Sequence, residues 1–119
     1  MTNRAKDKGD RAELEAAAML NDLLRLPQVI RRRLGAGRTS AAGGDVGDLD
    51  GVPDHVVQVA NWSDAAAAAR QKPAEAEQQA VNLGVQHSIT LVRFRGGRWV
   101  VVLSLAQWVR YVKLLFTNE

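Results

Sequence analysis

A glycine-rich acidic segment that runs directly into an apolar segment constrains the fold of this chain most. Residues 43–62 read GGDVGDLDGVPDHVVQVANW and hold four aspartates within ten residues, Asp45, Asp48, Asp50 and Asp54. The short apolar run at 56–60 that follows them is typical of a buried strand. The pattern predicts a central strand with carboxylates at one end, where their oxygens could hold a hard divalent cation such as Mg²⁺ or Mn²⁺.

The segment before this centre predicts a first helix over 8–26, with residues 1–7 disordered. Apolar residues recur there at three- and four-residue spacing, and Pro27 ends the pattern. Glu13 and Glu15 fall in the first turns of this predicted helix, where the helix dipole favours negative charge. Residues 29–34 predict an extended segment that leads into a glycine-rich loop.

A second helical region follows the central strand. Ser63 or Asp64 is suited to cap it, and five consecutive alanines at 65–69 favour helix formation. Pro73 predicts an interruption, so we expect either a kink or two abutting helices at 64–71 and 73–83, with Gly84 ending the helical region.

Residues 88–103 predict a β-hairpin around Gly96 and Gly97. A two-residue Gly-Gly loop between β-rich runs fits a type I′ or II′ turn. In that register Phe94 faces Trp99, Val92 faces Val101, and Arg95 faces Arg98, a like-charge pair that an anionic partner would relieve.

The last helix opens at the capping-box pattern 104–107. Its apolar stripe suits either the core or a dimer interface, and consists of Leu105, Trp108, Val109, Val112 and Phe116. The predicted order is therefore α-β-β-α-β-β-α, an α/β fold in which helices flank a mixed sheet and residues 1–119 form a single domain.

The charges are unevenly distributed along the 119 residues. Residues 1–38 hold nine basic and five acidic residues, residues 39–92 hold two and seven, and residues 93–119 hold five and one. Basic flanks around an acidic centre suit a phosphate-rich partner near a metal held by carboxylates, although a solvated surface gives the same pattern. No apolar run reaches the length of a membrane span, there is no apolar leader, and cysteine is absent, so we expect a cytoplasmic protein.

Three short motifs, in this order, resemble the PD-(D/E)XK nuclease superfamily and, within it, the small Holliday-junction resolvases of archaeal and phage type. Residues 8–13 read KGDRAE, similar to the family's KGxxxE opening. Residues 47–49 read GDL, similar to its GDI motif, and 56–61 read VVQVAN where the family has its ExK strand. The likeness covers roughly residues 6–116.

The resemblance implies a restriction-endonuclease-like core and a Mg²⁺- or Mn²⁺-dependent cleavage of phosphodiester bonds during DNA recombination. It gives Glu13, Asp48 and Gln58 the role of metal-binding catalytic residues, and it leads us to expect a homodimer on branched or double-stranded DNA. For a phage-encoded protein, the compartment would be the host cytoplasm. The residues expected to hold the DNA are Arg31, Arg32, Arg33, Arg38, Ser40, Arg93, Arg95 and Arg98.

Two positions depart from the family pattern. Gln58 stands in place of the second carboxylate and Ala60 in place of the catalytic lysine. Lys72 could replace the lysine, Asn61 or Asp45 could complete the metal shell, or the chain could have lost cleavage and kept DNA binding as an accessory protein. A small interaction module without any nucleic-acid role is the remaining hypothesis.

Overall fold

The structure, a computed structural model, describes residues 4–41 and 43–117. Within these residues there are three helices, five strands and one short 3₁₀ helix. The helices are α1 (Arg4–Leu24), α2 (Ala65–Leu83) and α3 (Leu105–Thr117), the strands are β1 (Arg31–Arg32), β2 (Leu49–Asp50), β3 (His55–Ala60), β4 (His87–Phe94) and β5 (Arg98–Val102), and the 3₁₀ helix is Gly35–Arg38. None of the described helices has both the length and the apolar character that crossing a bilayer requires.

The five strands form one mixed sheet in the order β1-β2-β3-β4-β5. Strands β3 and β4 are parallel and are joined by α2, whereas the other neighbours are antiparallel. The predicted α/β class with helices on a mixed sheet is confirmed, but the predicted order lacks one strand. Strand β2 is only two residues long, too short for the alternation that marks a strand in a sequence.

Helices α1 and α2 cover opposite faces of the sheet. Val57 of β3 is buried with Ala16 of α1, whereas its neighbour Val56 is buried with Ala76 of α2. Successive side chains of a strand point to opposite faces of the sheet, so the side chains of β3 face α1 and α2 alternately. Small alanines on both helices bring the helix backbones close to the strands.

Helix α1 begins earlier than predicted, because residues 4–7 are helical and only 1–3 lie outside the described part of the N-terminus. Glu13 and Glu15 are therefore well inside the helix rather than in its first turns, so the helix dipole does not explain them. At the other end, Asn21 donates from Nδ2 to the carbonyl of Ile30 at 2.9 Å and accepts from its backbone N–H at 2.7 Å. These two bonds tie the chain to α1 directly before β1.

Helix α2 is continuous through Pro73, so of the two predicted alternatives the pair of abutting helices is wrong. A proline inside a helix costs about 3 kcal/mol. Here Asp64 caps the first turn by accepting from the N–H of Ala67 at 3.0 Å, and Gly84 ends the helix in the left-handed conformation. Burial of the alanine face against β3 and β4 holds the helix together across the proline.

The hairpin between β4 and β5 has a three-residue loop, Arg95-Gly96-Gly97, instead of the two-residue loop predicted. Both glycines have positive φ values, 84° and 80°. The extra residue shifts the register by one, so the predicted pairs are wrong and Arg93 lies opposite Trp99. Both side chains consequently reach α1, where they donate to Glu15 at 3.2 and 2.9 Å.

Helix α3 contacts the sheet through its polar side, where Gln107 is hydrogen-bonded to residues of β4. Ser104 caps it as predicted, accepting from the N–H of Gln107 at 3.1 Å. The Gln107 side chain does not complete the capping box, because it is buried and accepts from the N–H of Ser88 at 3.2 Å. The apolar stripe faces solvent instead of the core, with Trp108 55% exposed and Phe116 72% exposed.

Two glycines with positive φ allow the close packing at β1 to be tested. A Cβ at Gly51 would lie 2.7 Å from the carbonyl oxygen of Val29 and 2.9 Å from Cα of Ile30, whereas one at Gly96 would meet nothing within 4 Å. We expect Gly96→Ala to lower the free energy of unfolding by about 1 kcal/mol, the conformational cost alone. Gly51→Ala should cost about 3 kcal/mol, because overpacking adds to that strain. Urea denaturation of both variants measures the difference, and equal losses would contradict the backbone contact.

Candidate functional site

Two carboxylates from distant parts of the chain meet at one arginine. Arg38 donates from Nη2 to Oε1 of Glu13 at 2.7 Å and from Nη1 to Oδ1 of Asp48 at 3.0 Å. Asp48 is fixed by the sheet, because its Oδ2 accepts from the N–H of Val59 at 2.8 Å. The structure therefore brings together Glu13 and Asp48, and a guanidinium lies between them.

A second arginine reaches the same carboxylate from β1. Arg32 donates from Nε to Oε1 of Glu13 at 3.1 Å and from Nη2 to Oδ1 of Asp10 at 2.8 Å. Glu13 is thus held by two guanidinium groups, although its side chain is almost entirely buried. Burying a carboxylate is tolerable only when it is paired and hydrogen-bonded in this way.

These side chains line an open groove of about 410 Å³ between the start of α1 and the 3₁₀ helix. We refer to it as the Arg38 groove, and its charged lining consists of Lys6, Asp10, Glu13, Arg32 and Arg38. The groove also includes Gly9 and Gly35, so part of its wall is bare backbone. A polymer with a charged backbone can approach such a wall closely.

The environment of Asp48 disfavours its charged form. Burial raises the pKa of this carboxyl above its ordinary value, and the nearby charges of Glu13 and Asp45 act in the same direction. The N–H of Val59 and the guanidinium of Arg38 only partly oppose this rise. Burial acts to lower the pKa of Arg38, but the carboxylates of Glu13 and Asp48 outweigh it and raise that pKa.

Gln58 and Lys72 lie elsewhere, so the four predicted catalytic residues are not brought together. Gln58 donates from Nε2 to Oε2 of Glu75 at 3.4 Å, and Lys72 donates to the same oxygen at 2.9 Å. Glu75 belongs to α2, and Gln58 follows Val57 on the opposite face of β3. The prediction that Gln58 shares a cation with Glu13 and Asp48 is therefore wrong in geometry, as is the reach of Lys72 towards Asp48.

The strand positions beside Asp48 are apolar. Val57 packs in the α1 core and Val59 packs against it, whereas Ala60 is buried with Ala68 and Val92 on the α2 side. Gln58 and Ala60, the positions to which the resemblance gives the carboxylate and the lysine, thus face α2 rather than α1. The side chains of Val57 and Val59 have no atom that could bind a cation or activate a water molecule.

The donor set does not fit the Mg²⁺ or Mn²⁺ site that the resemblance implies. The described residues contain no group of three or more His, Asp or Glu side chains placed to hold a metal ion. Glu13 and Asp48 supply two carboxylates, and each is already paired with Arg38. Asp45 adds no third ligand in this arrangement, since its Oδ1 accepts from the N–H of Gly47 at 2.8 Å.

The predicted DNA-binding residues divide into two groups. Four of the arginines are engaged by carboxylates of the chain itself, namely Arg32, Arg33, Arg38 and Arg93. Arg31, Arg95 and Arg98 are exposed, but β1 and β5 form opposite edges of the sheet, four strand spacings or roughly 19 Å apart. Ser40 is occupied within its own loop, where its Oγ accepts from the N–H of Gly44 at 3.1 Å.

Arg32 and Arg38, which line the Arg38 groove, were among the predicted DNA-binding residues, but four basic side chains close to the groove were not. They belong to the first turns of α1 and are Arg4, Lys6, Lys8 and Arg11, which line this groove or the cavities that adjoin it. Because residues 1–7 were predicted to be disordered, Arg4 and Lys6 were not considered as residues of a site. The alternation of basic and acidic residues at 4–11 was the available signal, since it places several cations on one helix end.

No protein-family model matches this chain, and neither a curated protein nor a solved structure matches it.

Removal of Arg38 should expose the repulsion between the two carboxylates. We expect Arg38→Ala to lower the free energy of unfolding by about 2 kcal/mol at pH 7, as for a lost charged hydrogen-bond pair. The pKa of Asp48, already above 3.8, should rise further without this cation. A raised folded-state pKa costs stability only when the group is ionised, so the loss should shrink as pH falls towards 4.

Chemical denaturation at pH 4 and pH 7 checks this dependence. Arg95→Ala is the matched control, because Arg95 is exposed at the hairpin tip, and it should change stability by less than about 0.5 kcal/mol at either pH. A loss for Arg38→Ala that is equal at the two pH values would contradict the coupling to Asp48.

Proposed function

We propose that this chain binds branched or double-stranded DNA along the Arg38 groove, as a non-cleaving relative of the PD-(D/E)XK nucleases. The observation that carries this proposal is the guanidinium of Arg38 between Glu13 and Asp48. In a nuclease these acids would hold a divalent cation that activates water. Here Arg38 and Arg32 supply positive charge to these acids from the protein itself, and the adjacent side chains of Val57 and Val59 offer no ligand.

The distribution of basic residues supports DNA as the partner. The first turns of α1 carry four of the nine basic residues found in 1–38. Lys6 lines the Arg38 groove, and Arg4, Lys8 and Arg11 line the cavity that shares Asp10 with it. Lysine and arginine contacts to phosphates do not depend on base sequence, and they place a protein on the DNA backbone. Such binding weakens steeply with salt because it releases counterions.

A metal-dependent endonuclease, such as a Holliday-junction resolvase, is the second candidate. The convergence of Glu13 and Asp48, 35 positions apart in sequence, is the observation that favours it. For this candidate, Glu13 and Asp48 would have to be released from Arg38, and a further ligand would be needed, before they could hold Mg²⁺ or Mn²⁺. Gln58 and Lys72 would take no part, since they lie on the α2 face.

A cleavage and binding assay separates the two candidates. A labelled four-way junction and a duplex of equal length are incubated with the protein, with and without Mg²⁺ or Mn²⁺. We expect binding without cleavage, and we expect Lys8→Ala/Arg11→Ala to reduce the slope of log K against log [salt] by about 2, one for each lost phosphate contact. Lys113→Ala, an exposed change on α3, is the control and should leave the slope unchanged.

Cleavage that needs the metal and disappears in Asp48→Asn would favour the endonuclease instead. If neither DNA binds at low salt, both the non-cleaving DNA-binding protein and the endonuclease are contradicted. The remaining hypothesis is then a small interaction module without a nucleic-acid role.

We further propose that the exposed apolar face of α3 joins two copies of the chain in a homodimer. This face is uncharged and contains Leu105, Trp108, Val109, Leu115 and Phe116. An uncharged apolar helix face is complementary to itself, as a two-fold interface requires. A four-way junction also has two-fold character, which a symmetric dimer would match.

Sedimentation equilibrium tests the dimer. Trp108→Glu should shift the protein from twice the chain mass to the mass of one chain, because it would bury two unpaired carboxylates at the interface. Val81→Glu, at an apolar residue of α2 that is 73% exposed, should leave the mass unchanged. A wild-type protein that is monomeric at all concentrations would end this part of the proposal.

A further inference from the structure

A second cavity of about 430 Å³ lies on the other side of the α1 N-terminus from the Arg38 groove. We refer to it as the Trp62 pocket, and the residues used below are Lys8, Gly9, Val59, Asn61, Trp62 and Asp64. Its volume lies within the range of pockets that hold small organic ligands. It opens where β3 ends and the chain turns towards α2.

Trp62 is an aromatic wall of this pocket. Its side chain is 37% exposed, and Nζ of Lys72 lies 5.3 Å from the ring centroid. Lys72 is itself held by Glu75 at 2.9 Å, so a fixed cation orients the indole. A partly exposed and oriented indole is the kind of surface on which a nucleic-acid base stacks.

The polar groups around Trp62 suit a nucleotide. Asn61 offers one acceptor and two donors for a base edge, and Lys8 offers a cation for a phosphate. Asp64 is the one carboxylate in the lining, but its Oδ1 accepts from the N–H of Ala67 at 3.0 Å. The positive end of α2 therefore offsets the charge that would otherwise repel a phosphate.

Gly9 connects the Trp62 pocket with the Arg38 groove, because it lines both. A glycine in a helix interior costs about 1 kcal/mol relative to alanine. A Cβ at this position would meet nothing within 4 Å, so packing inside the protein does not demand glycine. The bare helix wall instead leaves room for a strand to pass from one cavity to the other.

We infer that the Trp62 pocket holds one unpaired base of the DNA strand whose backbone lies in the Arg38 groove. This inference rests on the proposed DNA binding and adds a preference to it. A base inside an intact duplex is stacked and paired, so it would have to be extruded before it could reach the indole. A branch point or a single strand presents such a base without that cost.

Equilibrium binding of the full chain to three probes tests the inference: a thymidine oligonucleotide, a duplex of equal length and a four-way junction. Trp62→Ala should weaken binding to the oligonucleotide and the junction about tenfold, the effect of losing one stacked base. Duplex affinity and the salt slope should stay unchanged, because stacking contacts no phosphate. Trp62→Phe should restore most of the affinity, and Leu14→Ala, at an exposed α1 residue, should have no effect.

A second readout does not depend on how well Trp62→Ala folds. In the variant Trp99→Phe/Trp108→Phe, Trp62 is the remaining tryptophan of the three, so its fluorescence reports the pocket directly. The thymidine oligonucleotide should quench this fluorescence, and the duplex should not.

The outcomes separate this inference from the proposed function. If none of the three DNAs binds at low salt, DNA binding fails and the pocket assignment fails with it. If the duplex and the junction bind but Trp62→Ala keeps its preference and Trp62 is not quenched, only the pocket assignment is overturned. Equal loss for duplex and single strand in Trp62→Ala would also overturn it, because the tryptophan would then serve the fold rather than a base.

Discussion

The ion pairs of Arg38 join three segments that are separate in the sequence. Glu13 lies in the middle of α1, Arg38 ends the 3₁₀ helix, and Asp48 directly precedes β2. Two carboxylates this close would repel each other strongly in a partly buried site. The guanidinium attracts both carboxylates, and it thereby helps to fix where α1, the loop and the start of β2 lie relative to one another. The groove exists because these segments meet there.

Much of the fold could be predicted because its long elements carry a clear period. The helical spacing in α1, the alanines of α2 and the β-rich segments of β4 and β5 all indicate the elements that form. The errors arise where only a few residues determine whether an element forms or which residues pair. Strand β2 is too short to show alternation, and the hairpin register depends on one extra loop residue at Arg95. Helix α2 continues through Pro73 because its burial against the sheet outweighs the local cost of a proline inside a helix.

The candidate site was predictable in part, for a different physical reason. Glu13 and Asp48 were expected to converge, and the structure brings them together. The positions on β3 were not predictable, because side chains alternate between faces and the sequence does not reveal which face α1 covers. The face of β3 that α1 covers carries Val57 instead of Gln58, so Gln58 does not join Glu13 and Asp48 as the expected third metal ligand. The same limitation applies to α3, whose apolar stripe is as consistent with a partner surface as with a core.

An arginine and a metal ion both place positive charge between two carboxylates, but they differ in the chemistry that they allow. A divalent cation lowers the pKa of a bound water and also attracts phosphate, whereas a guanidinium only attracts it. Arg38 uses Nη1 and Nη2 for the two carboxylates, yet a guanidinium has five N–H donors in a fixed plane. Some of its donors therefore stay available to a phosphate that enters the groove. A guanidinium can therefore hold a phosphate without activating water, and this property is what makes the geometry compatible with the proposed binding without hydrolysis.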